Sequence, residues 1–179
     1  MEIRGGASPE QAGRVAAPGR QAARSRPYEG TWRFTAPVHE ASVPRVRHAV
    51  RDLLLHRHVP VSGEVLQALM LILSELVTNS VRHAALLTAE IGVEVSVGAD
   101  WVRVGVEDGH PYRPATPAFD PSQEHLGGRG LLLVGATVAE AGGICEVERT
   151  ASGGKVVRAV LPLLPPAPPA APGLSLRAG

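Results

Sequence analysis

Three spots in the chain carry residue types and spacings that could do chemistry together. Glu75 and Asn79 stand four residues apart in LSELVTNSVRHA (73–84), a segment of helical period, so a carboxylate and a carboxamide leave one helix on one face. Asp108-Gly109 closes an alternating run. Gly127-Gly128-Arg129-Gly130 leads into an apolar segment, and a glycine turn feeding a helix N-terminus offers backbone N–H groups and the positive end of a dipole to an anion such as phosphate.

None of these is specific alone. GGRG lacks the GxxxxGK[ST] of a P-loop and the GxGxxG spacing of dinucleotide folds, and by itself reads as a tight turn. Glu75 with Asn79 could be a solvated charge and amide on a helix surface. With Leu73 at the centre of the apolar stripe, Leu66, Leu69, Met70, Leu76, Val77, Ser80 and Ala84 share its side, while Glu75, Asn79 and Arg82 lie opposite. Leu71 and Ile72 fall near that far side as well, which predicts a second layer over it and a need for a partner at Glu75, since an unpaired buried carboxylate is costly.

The elements that must position these groups follow from pattern. Residues 28–37 alternate Trp32 and Phe34 against Thr31, Arg33 and Thr35, a half-buried strand. Ser42 is placed to cap a helix running to about Arg57 through Val46, Ala49, Val50, Leu53 and Leu54. His56 and His58 follow without neighbouring ligands of the right type, so they do not read as a metal site. Val59-Pro60 breaks the chain, and Ser62 caps the long helix that carries Glu75 and Asn79 to near Leu87.

Two alternating pairs come next. EIGVEVSV (90–97) and WVRVGVED (101–108), joined by Gly98-Ala99-Asp100, predict one antiparallel hairpin. ICEVERT (144–150) and KVVRAVLPL (155–163), joined by Ala151-Ser152-Gly153-Gly154, predict a second. Between them, 109–128 holds four prolines and no period, a stretch whose length favours a functional lid, and 129–141 is predicted as a third helix. The expected fold is α+β: a two-layer sandwich of a mixed, mostly antiparallel sheet with helices on one face, spanning 28–163. Residues 1–27 and the proline-rich 164–179 are expected as disordered tails.

Composition narrows the class. A net charge of +1 and a pI near 8.1 give no strong field for nucleic acid or an acidic membrane. Basic residues are almost all arginine, Lys155 being the sole lysine, a bias expected of a GC-rich genome. The one cysteine, Cys145, excludes a disulfide framework and a cysteine-based zinc site. No apolar leader opens the chain and no unbroken apolar run nears the roughly 18 residues of a membrane span, so a cytoplasmic protein is expected.

Together and in this order, LSELVTNSVRHA, Asp108-Gly109 and GGRGLLLV resemble the N box and the first and second glycine boxes of the GHKL ATPase superfamily, in particular its anti-sigma-factor serine kinase branch. The resemblance covers about 32–163 and implies the Bergerat, or histidine-kinase-like, ATPase fold. It implies ATP and Mg²⁺ as cofactors, with Asn79 holding the metal, which suits a carboxamide oxygen on a hard cation. Glu75 corresponds to the general base toward an attacking serine hydroxyl, Asp108 to the acceptor of the adenine amino group with Gly109 beside it, and Gly128, Arg129 and Gly130 to the phosphate turn. Arg82 and His83 lie near the phosphates or at a solvated helix end.

The implied partners are an anti-anti-sigma protein and a sigma factor, with a homodimer possible and no direct nucleic-acid or membrane contact. The chain departs from the pattern after Gly109, where His110-Pro111-Tyr112-Arg113-Pro114 replaces a second glycine, and Arg113 is the only basic residue before Arg129. The implied activity is that of an ATP-dependent protein serine/threonine kinase. The alternative is a non-catalytic anti-sigma docking module, with nucleotide or without it. A fragment of a two-component histidine kinase fits less well, because only one short helix, bearing His48 and His56, precedes the N box.

Overall fold

The computed structural model describes residues 26–111 and 129–164. Eight elements follow in the order β1 (Gly30–Pro37), α1 (Ser42–His56), α2 (Gly63–Ala84), β2 (Glu90–Val97), β3 (Trp101–Asp108), α3 (Arg129–Glu140), β4 (Ile144–Arg149) and β5 (Lys155–Pro162). The expected lid lies largely outside the described residues, as do Gly128 and nearly all of both expected tails.

The strands form one sheet in the order β1-β2-β3-β5-β4. Every pairing is antiparallel, so the sheet expected to be mixed is antiparallel throughout. Both hairpins are present. Alternation sorts the side chains: Ile91, Val93, Val95, Val102, Val104, Val106, Val157, Ala159 and Leu161 are buried, and most are β-branched, the type that packs best on a pleated surface. Thr31, Arg33 and Thr35 on β1 are exposed on the opposite face. The period-2 pattern therefore leaves one face free, and the three helices pack on the other.

α2 is the central helix. Ser62 caps it by accepting a hydrogen bond from the Val65 N–H at 3.1 Å. Leu69, Ile72, Leu73, Leu76 and Val77 are no more than 1% exposed and pack into the core with Val46, Val50 and Leu54 of α1. Ile72 thus belongs to the core rather than to the far side, whereas Leu71 remains 39% exposed. By length and hydropathy α2 could cross a membrane, but here it is the core helix, packed against α1, α3, β3 and β5. It ends at Ala84, three residues short of the expected end.

Two local details differ from expectation. Ser42 does not cap α1: Ala41 occupies that position, and the Ser42 hydroxyl donates to the Pro37 carbonyl at 2.6 Å, tying the helix start to the end of β1. α1 ends in a Schellman motif, with Val59 N–H to Leu54 O and His58 N–H to Leu55 O, both 3.0 Å. His58 holds the left-handed position at φ 52, where glycine is usual. Val59 can then turn back onto Leu54, and both are buried.

Candidate functional site

Glu75 and Asn79 sit half-buried one turn apart on α2, as their spacing requires. The second layer expected over them is α3. Glu75, Thr78, Asn79, Arg82 and His83 from α2 and Arg129 and Gly130 from the start of α3 enclose a cavity of about 270 Å³. The helix start and the polar pair thus line a single recess.

Gly130 lets the Glu75 carboxylate come this close. A β-carbon there would lie 2.6 Å from Glu75 Oε2, so the carboxylate rests directly against the first turn of α3. The N-terminal N–H groups of a helix lack intrahelical acceptors and carry partial positive charge, which favours an anion at this position. Glu75 makes no hydrogen bond or ion pair among the described residues, so its oxygens remain available to a hydroxyl or a ligand. Arg82 and Arg129, both exposed, add positive charge at the rim.

Asp108, at the end of β3, meets α2 at Ser80 and is engaged differently. Its Oδ2 accepts from the Ser80 hydroxyl at 2.6 Å, and Oδ1 accepts from the His110 N–H at 3.0 Å and from Lys155 Nζ at 3.2 Å. The carboxylate side chain is 1% exposed and the lysine side chain 3%. This buried ion pair joins α2, β3 and β5. Gly154 closes the corner, since a β-carbon there would fall 2.2 Å from the Asp108 carbonyl oxygen.

His110, which follows Gly109, has a physical role. The His110 N–H bonding back to the Asp108 side chain two residues earlier forms an Asx-type turn that holds this end of β3. The His110 and His83 rings stand edge to face, 6.3 Å apart. Burial, with help from Lys155 and His83 and against Asp108, holds the His110 pKa below the usual histidine range. Gly109 itself faces away, lining a separate recess with Thr35, Thr88, Gly92 and Glu107.

The structure therefore brings Glu75, Asn79, Arg129 and Gly130 into one cavity, while Asp108, bonded to Ser80 of α2, and Gly109 do not line it and Gly128 is beyond the described residues. Lys155 is the member that sequence reasoning missed. The signal was its phase: Lys155 alternates with Val157, Ala159 and Leu161 on the inward face, and Asp108 with Val102, Val104 and Val106. The histidines weighed and set aside as metal ligands form no cluster, because His56 Nδ1 bonds the Asp52 carbonyl and no group of potential ligands occurs among the described residues.

The donor set fits a magnesium-bound polyphosphate at its charged end: a carboxamide oxygen, a free carboxylate, two guanidinium groups and a helix start around one recess. At the other end, Asp108 already accepts three hydrogen bonds within the protein.

Comparison with known proteins agrees in fold. Residues 36–161 match the family model described as the histidine kinase-like ATPase domain. Among solved structures, the chain is similar to the RsbU and RsbW domains of Rv1364c from Mycobacterium tuberculosis, at 19% identity and a TM-score of 0.50, over 74% of this chain and 32% of that one. It is also similar to the histidine kinase domain of the blue-light activated histidine kinase EL346 from Erythrobacter litoralis, at 25% identity and a TM-score of 0.45, over 71% of this chain and 61% of that one. This chain thus spans less than two thirds of either. No curated protein matches it by sequence.

Proposed function

The chain belongs to the histidine kinase-like ATPase family, its domain being of the GHKL type, and from this we propose that it is an ATP-dependent protein serine/threonine kinase. Its substrate in this reading is an anti-anti-sigma protein, and its regulatory target a sigma factor, in the cytoplasm. The observation that carries the reading is the single cavity in which Glu75, unpaired among the described residues and pressed against Gly130, lies one turn from Asn79.

Phosphoryl transfer asks a protein chiefly for positioning and charge stabilisation. Asn79 would hold Mg²⁺, which when bound neutralises phosphate charge and orients the transferred group. Glu75, with no competing partner among the described residues, would accept the proton of an incoming serine or threonine hydroxyl. The start of α3 and Arg129 would face the phosphate oxygens. Transfer of labelled phosphate from ATP to a cognate partner tests the base. Glu75→Gln is expected to lower transfer by 10²-fold or more with ATP affinity kept, and unchanged transfer would remove Glu75 from the reaction.

One observation favours a second reading. Asp108, the residue that the resemblance assigns to adenine, is closed off by Ser80, His110 and Lys155. That arrangement suits an anti-sigma docking module that keeps the fold without turnover. Absence of Mg²⁺-ATP turnover with partner present would decide for it.

A further inference from the structure

A second recess lies on α2, on a different face from the one at Glu75. Toward the N-terminus of that helix, a groove of about 530 Å³ runs between α1 and α2, bounded by Arg47 and Arg51 on one wall and by Leu66, Met70, Leu71 and Ser74 on the other. Ser74 adjoins Glu75 in sequence, and Leu71 lies one turn before it, about 6 Å along the axis. Consecutive helical residues point about 100° apart, so the groove and the cavity that holds Glu75 occupy neighbouring faces of α2.

Its chemistry is lopsided. α1 carries Arg45, Arg47 and Arg51 against the single carboxylate of Asp52. Among the described residues, Arg47 and Arg51 are exposed and make no hydrogen bond or ion pair, and no ion pair involves α1 or α2. On β1 and β3, by contrast, Arg33 and Arg103 both pair with Glu94. Two unpaired guanidinium groups one helical turn apart, beside an apolar floor that leaves Leu71 39% exposed, match an amphipathic helix with carboxylates at i and i+4 along the edge of its apolar face.

We infer that the α1–α2 groove is the docking site for an acidic amphipathic helix of the protein substrate. This rests on the kinase reading for the partner's being a substrate, but not for the chemistry of what binds. The apolar floor supplies affinity. The arginines supply register and sign, so that a basic helix is rejected.

The test uses the full chain and a fluorescently labelled synthetic helical peptide of about five turns, with a leucine face flanked by glutamates at i and i+4. Binding is read by anisotropy without ATP. Micromolar binding to the wild type is expected, weakened at least tenfold in the Arg47→Glu/Arg51→Glu variant and restored to that variant by a peptide with arginine in place of the glutamates. Retained folding of the variant is checked by its thermal midpoint and by its Mg²⁺-ATP affinity, which is expected to be unchanged. Equal binding of the peptide by both proteins, or none by the wild type, would overturn the groove as a docking site. Dissociation of a wild-type dimer by the same two reversals would also overturn it, by assigning the groove to a second copy of the chain. Loss of ATP turnover in the wild type would instead defeat the kinase reading and leave the peptide result standing.

Discussion

Gly130→Ala separates the stability of the fold from the placement of the Glu75 carboxylate, the proposed base. The new β-carbon would meet Glu75 Oε2 at 2.6 Å, against an ordinary carbon–oxygen contact of about 3.3 Å, so something must move by about 0.7 Å. The atom in the way ends a flexible side chain with no hydrogen bond to lose, so Glu75 yields rather than the backbone. Alanine also favours the helix over glycine by up to about 1 kcal/mol, which in a chain of this size would raise the melting temperature by about 2–4 °C. Stability is therefore expected to hold or rise. A displacement approaching 1 Å at a proton-accepting group costs on the order of 10²-fold in rate, about 2.7 kcal/mol. Scanning calorimetry alongside Mg²⁺-ATP turnover measures both. Turnover within twofold of wild type would refute the role given to the position of Glu75, and a melting temperature lowered by several degrees would show that the backbone, not the carboxylate, gives way.

Other perturbations probe the surrounding structure. Lys155→Met leaves Asp108 buried without its cation and is expected to cost about 3–5 kcal/mol by denaturant unfolding, since removing one partner of a buried pair strands the other charge; a loss below 1 kcal/mol would mean that the pair is not sealed from water. His58→Gly relieves a left-handed residue at the end of α1 and is expected to stabilise by about 1 kcal/mol, seen as a higher melting temperature, with no gain showing the turn to be unstrained. Because the folded pKa of His110 is depressed, the unfolded chain binds the proton more readily below about pH 6.5. The stability from this group is present above that pH and is lost as pH falls toward and through the folded value. His110→Gln should therefore flatten the fall in melting temperature between about pH 7 and 5, and an identical slope in wild type and variant would contradict it.

Much of this was legible in the sequence because period and phase are local. The i to i+4 spacing of Glu75 and Asn79, the alternation of Trp32 and Phe34 on β1, and the glycine-bearing loops of the two hairpins each determine geometry within a few residues. Features that depend on distant partners were not. Ile72 reads as part of the polar side by angle alone, yet α2 is covered on more than one side, by α1, α3 and the sheet, which widens its buried arc. Ser42 has the composition of a cap, but the Pro37 carbonyl claimed its hydroxyl. Lys155 looked like an accident of composition until β3 and β5 aligned it with Asp108. The closed state of Asp108 required that register together with the Ser80 hydroxyl on a third element.

The central claim is that Asn79 and the α2–α3 cavity form a magnesium-dependent nucleotide site. Calorimetric titration of ATP into wild type and Asn79→Ala, each with Mg²⁺ and with chelator, tests it most directly. Binding near the micromolar range, worth roughly 8 kcal/mol, is expected in the wild type with Mg²⁺ and should be lost with chelator or with Asn79→Ala, while the variant's melting temperature stays close to wild type. Equal binding by the variant, or no binding by the wild type, would contradict the site.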